Sequence, residues 1–217
     1  MGYTAEQIFS RAPVIPVITI DDPDTAVPLA RALVKGGLPV LEITLRTAQG
    51  LDAIRRVRDE VDDAVVGAGT VLNQRDLERA LAAGSEFVIT PGLTPELLRA
   101  GAACGVPFMP GIATVSEMMC CLDAGLTALK FFPAESSGGA RALRAFSGPF
   151  PQVSVCPTGG IGPDNLTAYL AVPSVRTIGG SWMTPRSSVA AGDWEGITAL
   201  AREACDLVGS IRSRAEG

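Results

Sequence analysis

Histidine is absent from this chain of 217 residues. Its absence excludes Ser-His-Asp triads and metal sites built on imidazole, and it removes the side chain that most often acts as a general base near neutral pH. Any proton transfer must therefore use a carboxylate, lysine, tyrosine or cysteine. No other property of the composition narrows the possible chemistry as much.

Targeting and membrane signals are also lacking. No apolar stretch reaches the length that spans a bilayer, and residues 1–6 have neither the charged nor the apolar region of a secretory signal. The net charge of −5 argues against a surface that binds nucleic acid. We therefore expect a soluble, cytoplasmic protein that binds neither nucleic acid nor membrane.

Cysteine occurs five times but never with Cys-x-x-Cys spacing, so we expect reduced thiols rather than disulfides. Cys156 is predicted to be a packing thiol, because no histidine is present to activate it. Cys120 and Cys121 fall on a predicted helix with Met118 and Met119, and we expect this segment to belong to the core. No metal site is predicted.

Lysine is almost absent as well, since only Lys35 and Lys130 occur and the other sixteen basic residues are arginines. Lys35 precedes Gly36 at the predicted end of a helix, where a cation is ordinary. Lys130 lies instead in the apolar segment ALKFFP (128–133). Burial there disfavours the charged ammonium and favours the free amine that imine chemistry with a ketone requires. The alternative is that the stem of Lys130 packs while its amine reaches water.

Eight short apolar segments alternate with helical patterns along the chain. They cover residues 14–20, 40–45, 64–69, 87–91, 107–112, 128–133, 153–157 and 175–180. Such alternation predicts a parallel sheet, either covered on both faces or closed into a barrel. We predict a (β/α)8 TIM barrel forming a single domain over residues 1–217, with a short N-terminal helix over residues 4–10. A doubly wound sheet is the alternative, but steady spacing favours closure.

Several helix ends are marked by capping residues. Asn73 is placed to cap a helix over residues 74–83, and Thr94 precedes a helix that starts with proline and ends or is interrupted at Gly101. Asp21 and Asp22 follow the first predicted strand. Helix capping explains them more simply than metal binding does.

Polar residues alternate along the second predicted strand, with Glu42, Thr44 and Arg46 on one face and leucine and isoleucine on the other. The apolar face should pack against helices, so the polar face should point into the barrel, as should Lys130. Glu42 and Lys130 would then share one interior and influence each other's protonation. In that setting lysine is the nucleophile and glutamate the proton carrier. The alternative for Glu42 is a structural ion pair within the barrel.

Small residues end the third predicted strand, in Gly67-Ala68-Gly69-Thr70. They would let a ligand approach the backbone closely, and Thr70 would add a hydroxyl. For Gly67, the simple geometry of a barrel strand is the alternative.

Paired glycines follow the last two predicted strands, in PTGGIG (157–162) and IGGSW (178–182). That position commonly binds phosphate in (β/α)8 barrels, because free backbone N–H groups can surround a dianion. One Gly-Gly pair is weak evidence, since glycine turns are common, but pairs on adjacent strands are more specific. The substrate is therefore predicted to carry a phosphate, held away from Glu42 and Lys130.

Four ordered motifs resemble the 2-keto-3-deoxy-6-phosphogluconate (KDPG) aldolases, the Schiff-base aldolases of the Entner–Doudoroff pathway. The motifs are LEITLRT (41–47), VGAGTVL (66–72), LKFFPAE (129–135) and CPTGGI (156–161). The resemblance extends over nearly the whole chain. It implies cleavage of a small phosphorylated keto-acid to pyruvate and glyceraldehyde 3-phosphate by a homotrimer that needs neither metal nor organic cofactor.

The resemblance also implies roles for individual residues. Lys130 would form the imine with the C2 ketone, Glu42 would be the general acid and base, and Arg46 and Thr70 would hold the pyruvate carboxylate. The phosphate end would be lined by Thr158, Gly159, Gly160, Gly180 and Ser181. Pro91 matches a family position near the site, although no chemical role can be assigned to it.

The chain departs from the family in one loop and carries one discriminating residue. Some relatives have basic residues just after the first strand, where this chain has Asp21-Asp22, so this loop should not bind phosphate. Aldolases for the galactonate epimer commonly have a hydrophobic residue before the Gly-Gly pair, where this chain has Thr158, and this favours the gluconate substrate. Many family members also cleave 4-hydroxy-2-oxoglutarate, which is therefore a second candidate activity.

Three other functions stay open. An aldolase for the galactonate epimer would share the lysine and glutamate. A phosphate-binding isomerase or epimerase usually uses histidine, aspartate or cysteine bases, so the lack of histidine counts against it. A barrel that only binds a sugar phosphate would keep its ligand affinity in Lys130→Ala and would have no activity to lose.

Overall fold

The computed structural model describes residues 2–216, so Met1 and Gly217 of the predicted domain lie outside the described residues. Strands and helices alternate along the described part of the chain. The strands are β1 (Val14–Ile18), β2 (Val40–Thr44), β3 (Val65–Gly69), β4 (Val88–Ile89), β5 (Phe108–Met109), β6 (Gly111–Ile112), β7 (Ala128–Phe131), β8 (Ser154–Pro157) and β9 (Ile178–Gly180). The helices are α1 (Ala5–Arg11), α2 (Ala26–Lys35), α3 (Gly50–Glu60), α4 (Gln74–Ala82), α5 (Pro95–Ala102), α6 (Val115–Asp123), α7 (Gly139–Ser147), α8 (Leu166–Leu170), α9 (Arg186–Ala191) and α10 (Trp194–Glu216).

Every strand pairing is parallel, as the alternation of apolar segments and helices predicts. A six-stranded sheet has the order β5-β4-β3-β2-β1-β9, and a three-stranded sheet has the order β6-β7-β8. Two isolated parallel bridges, Val155 with Val175 and Thr158 with Gly179, join β8 to the segment around β9. The α/β class with a parallel sheet is therefore confirmed.

The fifth predicted strand differs from expectation, because it is divided at Pro110 into β5 and β6. Proline has no N–H to donate, and a strand interrupted by it loses one rung of its ladder. Before Pro110 the chain pairs with β4, and after it the chain pairs with β7. The N–H of Gly111 donates instead to Oγ1 of Thr90, at 3.1 Å. The proline thus marks the point where the chain passes from one sheet to the other.

Alternation along the strands separates two apolar clusters. The larger cluster contains the strand residues that face the helices, such as Leu41, Val66 and Leu129. The smaller cluster contains strand residues that point the other way, including Val40 and Ala128. Both sheets contribute to this smaller cluster, so they curl around a shared interior.

Helix α1 closes the N-terminal end of this interior. Its buried residues Ile8 and Phe9 belong to the smaller cluster, 0% and 1% exposed. The side chain of Thr4 caps the helix by accepting from the Gln7 N–H. The side chain of Gln7 accepts in turn from the Thr4 N–H, which completes a capping box. The predicted N-terminal helix is confirmed, and its burial leaves the opposite end of the strands as the open one.

The predicted helix caps at Asn73 and Thr94 are confirmed, with Asn73 accepting from the Asp76 N–H and Thr94 from the Leu97 N–H. Asp22 caps a short 3₁₀ turn, Pro23–Thr25, ahead of α2. Gly101 does not end its helix, contrary to prediction.

Gly101 instead makes room for an aromatic ring, because a Cβ at that position would overlap the ring of Phe108.

The expectation that residues 118–121 are core is only half right. Met118 and Cys121 are buried on α6, but Cys120 is exposed and Met119 is 56% exposed. A helix packed on one side buries only one stripe of side chains. Met118 and Cys121 lie on the buried side of α6, and Met119 and Cys120 lie on the exposed side.

Within residues 2–216, no helix combines the length and the apolar character needed to cross a membrane.

Candidate active site

Lys130 and Glu42 meet inside the curled sheets. Nζ of Lys130 donates to Oε1 of Glu42 at 2.9 Å and lies 3.3 Å from Oε2, and the two side chains are 5% and 1% exposed. Glu42 comes from β2 of the larger sheet and Lys130 from β7 of the smaller one, so the pair spans their interior. The alternative in which the amine of Lys130 reaches water is wrong. A buried ion pair contributes little net stability. The surroundings of Lys130 and Glu42 therefore have to indicate what the pair does chemically.

The carboxylate of Glu42 occupies space that a glycine leaves free. A Cβ at Gly69 would overlap Oε1 of Glu42, and one at Gly67 would overlap the ring of Phe87. The sequence suggested that these small residues admit a ligand. They admit protein side chains instead, and Gly69 is the one that sets the position of the carboxylate.

Two neighbours shape the surroundings of the amine. The ring centroid of Phe132 lies 5.4 Å from Nζ of Lys130, within cation–π range. Cys156 sits beside Lys130 in the β7–β8 register, and burial raises the pKa of its thiol to about 12. The thiol therefore stays protonated near neutral pH, as expected for a packing residue.

A cavity of about 700 Å³ opens next to this pair. Its wall includes Phe132, whose ring also faces the amine, so this residue connects the cavity to the buried pair. Of the residues predicted for the site, those on the cavity wall are Arg46, Thr158, Gly159, Gly160, Gly180 and Ser181. The structure thus brings six of the ten predicted residues to one cavity, with Lys130 and Glu42 beside it.

The two Gly-Gly loops form one end of the cavity. Gly159 and Gly160 have φ of +107° and +75°, in the left-handed region that favours glycine. The bridge between Thr158 and Gly179 holds the two loops together. Among residues 2–216, the N–H groups of Gly159, Gly160 and Ser181 donate to no acceptor. Free amides on the wall of a cavity suit a phosphate group.

Charged residues of both signs stand on the cavity wall. Asp21 and Asp22 contribute carboxylates, while Arg46 and Arg186 contribute guanidinium groups. Within the described residues neither arginine forms a salt bridge, so both charges are available to an anionic ligand. Arg46 was expected to face the interior of the sheet, but β2 ends at Thr44 and the alternation stops there. Arg46 is exposed in the turn that follows.

Thr70 and Pro91 lie outside the cavity wall, Thr70 directly after β3 and Pro91 two residues after the end of β4. Thr70 has φ of +59°, the only positive value for a non-glycine residue among residues 2–216. The Leu45 N–H donates to the carbonyl of Gly69 at 2.8 Å, so Thr70 lies next to the turn that carries Arg46. Both residues are at the end of the strands where the cavity opens, but neither touches it.

Sequence reasoning missed Phe132 and Arg186. Phe132 stood inside a segment interpreted as a core strand, so its place on the cavity wall was not predicted. Arg186 is the first residue of α9, which follows the Gly-Gly loop of β9. An arginine four residues after the predicted phosphate loop IGGSW (178–182) was the signal that could have found it.

Residues 5–200 match the family model of the KDPG and KHG aldolases. A KHG/KDPG aldolase of Escherichia coli strain K12 is 53% identical over 203 residues, which is 94% of this chain and 95% of the relative.

Two solved structures are also similar. A KDPG aldolase of Legionella pneumophila, with pyruvate captured as a covalent carbinolamine, is 43% identical with a TM-score of 0.92, covering 94% of this chain and 98% of that one. The 2-keto-3-deoxy-6-phosphogluconate aldolase of Zymomonas mobilis ZM4, with 3-phosphoglycerate, is 47% identical with a TM-score of 0.86, covering 93% and 94%.

Proposed function

The chain belongs to the KDPG and KHG aldolase family, and from this premise we propose that it is a class I, Schiff-base aldolase. Its substrate is 2-dehydro-3-deoxy-6-phosphogluconate, which it cleaves to pyruvate and glyceraldehyde 3-phosphate in the Entner–Doudoroff pathway. The observation that carries the proposal is the buried contact of 2.9 Å between Lys130 Nζ and Glu42 Oε1, beside a cavity with free amides at one end.

The reaction begins with a proton that passes from Lys130 to Glu42 along their hydrogen bond. The free amine then adds to the C2 ketone to give a carbinolamine. Glu42 returns its proton to the carbinolamine hydroxyl, which leaves as water, so that a protonated imine forms and the carboxylate of Glu42 is regenerated. This cation accepts the electron pair of the C3–C4 bond as that bond breaks. Because the imine is the electron sink, the step requires neither a metal nor an organic cofactor.

Glu42 carries the protons of the remaining steps. Directly or through a water molecule, it removes the proton of the C4 hydroxyl while glyceraldehyde 3-phosphate departs. The resulting enamine takes a proton at C3, and water then hydrolyses the imine. Pyruvate is released, and the amine of Lys130 is regenerated.

The two ends of the substrate are held by different groups. Arg46, on the cavity wall, binds the carboxylate next to C2, with Thr70 beside the same turn. The phosphate binds at the loops of Gly159, Gly160 and Gly180 together with Thr158 and Ser181. Arg186 adds a positive charge to the cavity wall, and this charge offsets part of the negative charge of Asp21 and Asp22. Pro91 lies near the site, and no chemical role is assigned to it.

The gluconate substrate is favoured by Thr158. This residue puts a hydroxyl just before Gly159, where aldolases for the galactonate epimer commonly have a hydrophobic side chain. A further activity, cleavage of 4-hydroxy-2-oxoglutarate, needs the carboxylate end of the site but not the phosphate end.

The finer architecture is also part of the proposal. We propose a closed eight-stranded (β/α)8 barrel, in which β5 and β6 count as one strand divided at Pro110. The bridges from Val155 to Val175 and from Thr158 to Gly179 support closure on one side, and the continuous chain through Pro110 supports it on the other. A single domain is proposed on the same basis, since the larger apolar cluster runs from Val14 to Val208 without division. A cytoplasmic location is proposed because the relatives that the chain matches are metabolic enzymes.

A homotrimer is proposed because the family resemblance implies one. Three large apolar side chains support a contact between copies, since Leu72, Val115 and Met119 are 56%, 40% and 56% exposed. Burying such side chains against a partner is favourable.

An assay of pyruvate release tests the function. The chain is offered 2-dehydro-3-deoxy-6-phosphogluconate and its galactonate epimer separately, each with and without EDTA. We expect faster release from the gluconate substrate and no effect of the chelator. Release from neither substrate would favour a barrel that only binds a sugar phosphate, and faster release from the epimer would reverse the assignment based on Thr158.

A further inference from the structure

The turn that carries Gly159 and Gly160 is supported by a tyrosine and a glutamate that lie outside the cavity. Tyr169 on α8 is 1% exposed, and its hydroxyl donates to Oε1 of Glu135. Glu135 follows β7 and contacts Gly160. Gly160 lines the cavity whereas Glu135 does not. The glutamate therefore touches the turn from the side away from the ligand.

The contact between Glu135 and Gly160 is close. A Cβ at Gly160 would lie 2.8 Å from Cγ and 2.9 Å from Cβ of Glu135, so the turn rests directly on this side chain. The N–H of Glu135 also donates to the carbonyl of Gly159 at 3.1 Å. From another direction, Nδ2 of Asn165 donates to the carbonyl of Gly160 at 2.9 Å. In a trans peptide the N–H points opposite to the carbonyl of the preceding residue. The bond to the Gly159 carbonyl therefore directs the Gly160 N–H away from Glu135, and a bond of 2.8 Å from the Ala134 N–H to the Thr158 carbonyl orients the Gly159 N–H in the same way.

The hydroxyl of Tyr169 is what fixes the glutamate. Glu135 is an exposed residue, and an exposed glutamate ordinarily samples several rotamers. The buried phenol holds one carboxylate oxygen in place. Burial and the contact with Glu135 raise the pKa of Tyr169, so the phenol stays protonated and remains a donor at neutral pH.

We infer that Tyr169 and Glu135 are positioning residues, which hold the Gly159–Gly160 turn in the geometry that binds the substrate phosphate. The inference rests on the proposed function, because it assigns the phosphate to this turn. The expected effect is confined to the phosphate end of the substrate. Loss of the pair should weaken binding of the phosphorylated substrate and leave the chemistry at Lys130 unchanged.

The test is Tyr169→Phe, which removes the hydroxyl and keeps the buried ring. We expect the KM for the phosphorylated keto-acid to rise about tenfold, the scale of one lost hydrogen bond. The pyruvate concentration that half-saturates borohydride trapping should stay the same, because pyruvate carries no phosphate. Glu135→Ala should match Tyr169→Phe, and the double variant should add little, since the two act as one unit. Glu135→Gln keeps an acceptor for the phenol and should restore a KM near that of the parent.

Tyr3→Phe is the matched control, because Tyr3 is the other tyrosine of the chain and lies beside Arg11, away from the cavity. An unchanged KM in Tyr169→Phe would overturn the inference. A parallel rise in the half-saturating pyruvate concentration would also overturn it, because it would indicate a general structural role. If the parent traps no pyruvate at all, the proposed function is wrong, and the inference that rests on it is wrong as well.

Discussion

A single buried hydrogen bond is the centre of the proposed chemistry at the scale of residues. Nζ of Lys130 lies 2.9 Å from Oε1 of Glu42, and the space for that carboxylate depends on Gly69 having no side chain. Phe132 contacts the amine from the cavity side. These residues give the amine an acceptor for its proton and a neighbouring space for a ketone.

Glu42→Gln tests the proton carrier. Glutamine has nearly the same size and keeps an oxygen acceptor for Lys130, but it cannot take up a proton from the amine or the C4 hydroxyl. We expect kcat to fall by about 100- to 10,000-fold, the range for loss of a general acid–base group. The measurement is steady-state release of pyruvate. Glu78→Gln on the exposed face of α4 controls for the loss of one carboxylate, and an equal kcat in the two variants would contradict the assigned role.

Some of these residues could be predicted from the sequence and others could not. Lys130 stood out because lysine is rare here and a charge in an apolar strand is costly, and Glu42 followed from alternation. The space that Gly69 leaves for the carboxylate of Glu42 depends on the register between β2 and β3. Composition does not reveal that register. Arg46 lies beyond the last residue of β2, where the alternation no longer applies, so its position at the cavity wall was not predictable from the pattern.

At the scale of elements, the register between β2 and β3 decides what each strand glycine does. Glu42 pairs with Gly67 and Thr44 with Gly69. Gly67 faces the ring of Phe87, whereas Gly69 faces the carboxylate of Glu42. Two glycines of one strand therefore have different consequences when a methyl group is added.

Gly69→Ala should damage catalysis, and Gly67→Ala should damage stability. The methyl group at position 69 displaces the carboxylate of Glu42, so we expect kcat to fall at least about tenfold, as when a reacting group is misplaced. The methyl group at position 67 overpacks the core against Phe87, so the free energy of unfolding should fall by about 1–3 kcal/mol. Denaturant titration and kcat per folded molecule separate the two effects. Equal kcat values in the two variants would rule out a special position for Gly69.

Element ends were predictable where a local side chain sets them. Asn73 and Thr94 cap their helices as predicted, because a cap depends on neighbours within a few positions. Thr4, predicted as the first residue of the N-terminal helix, is its cap. The division at Pro110 carried a signal, since proline interrupts a ladder. The change of partner from β4 to β7 involves distant segments of the chain, so it was not predictable locally.

At the scale of the whole molecule, exposed apolar side chains are the remaining feature to explain. Val115 and Met119 lie four residues apart on α6 and therefore share one face of the helix. Leu72, just before α4, is also exposed. The proposed trimer would cover these side chains.

Sedimentation equilibrium tests the trimer. We expect the parent to sediment at three times the monomer mass. Met119→Glu places a charge on the exposed apolar face and should shift the equilibrium toward the monomer, since an unpaired charge is costly to bury. Glu78→Gln again serves as the control and should remain trimeric. A monomeric parent at micromolar concentration would contradict the proposed assembly.

Borohydride reduction in the presence of pyruvate shows whether the amine of Lys130 bonds covalently to the keto-acid. Reduction should convert the imine to a stable amine, and mass spectrometry of the peptides should locate the adduct on Lys130. Lys35 is the internal control, because it is the one other lysine of the chain. We expect modification of Lys130 alone, with none after Lys130→Met. An adduct on Lys35, or no adduct on a chain that releases pyruvate from its substrate, would contradict this expectation.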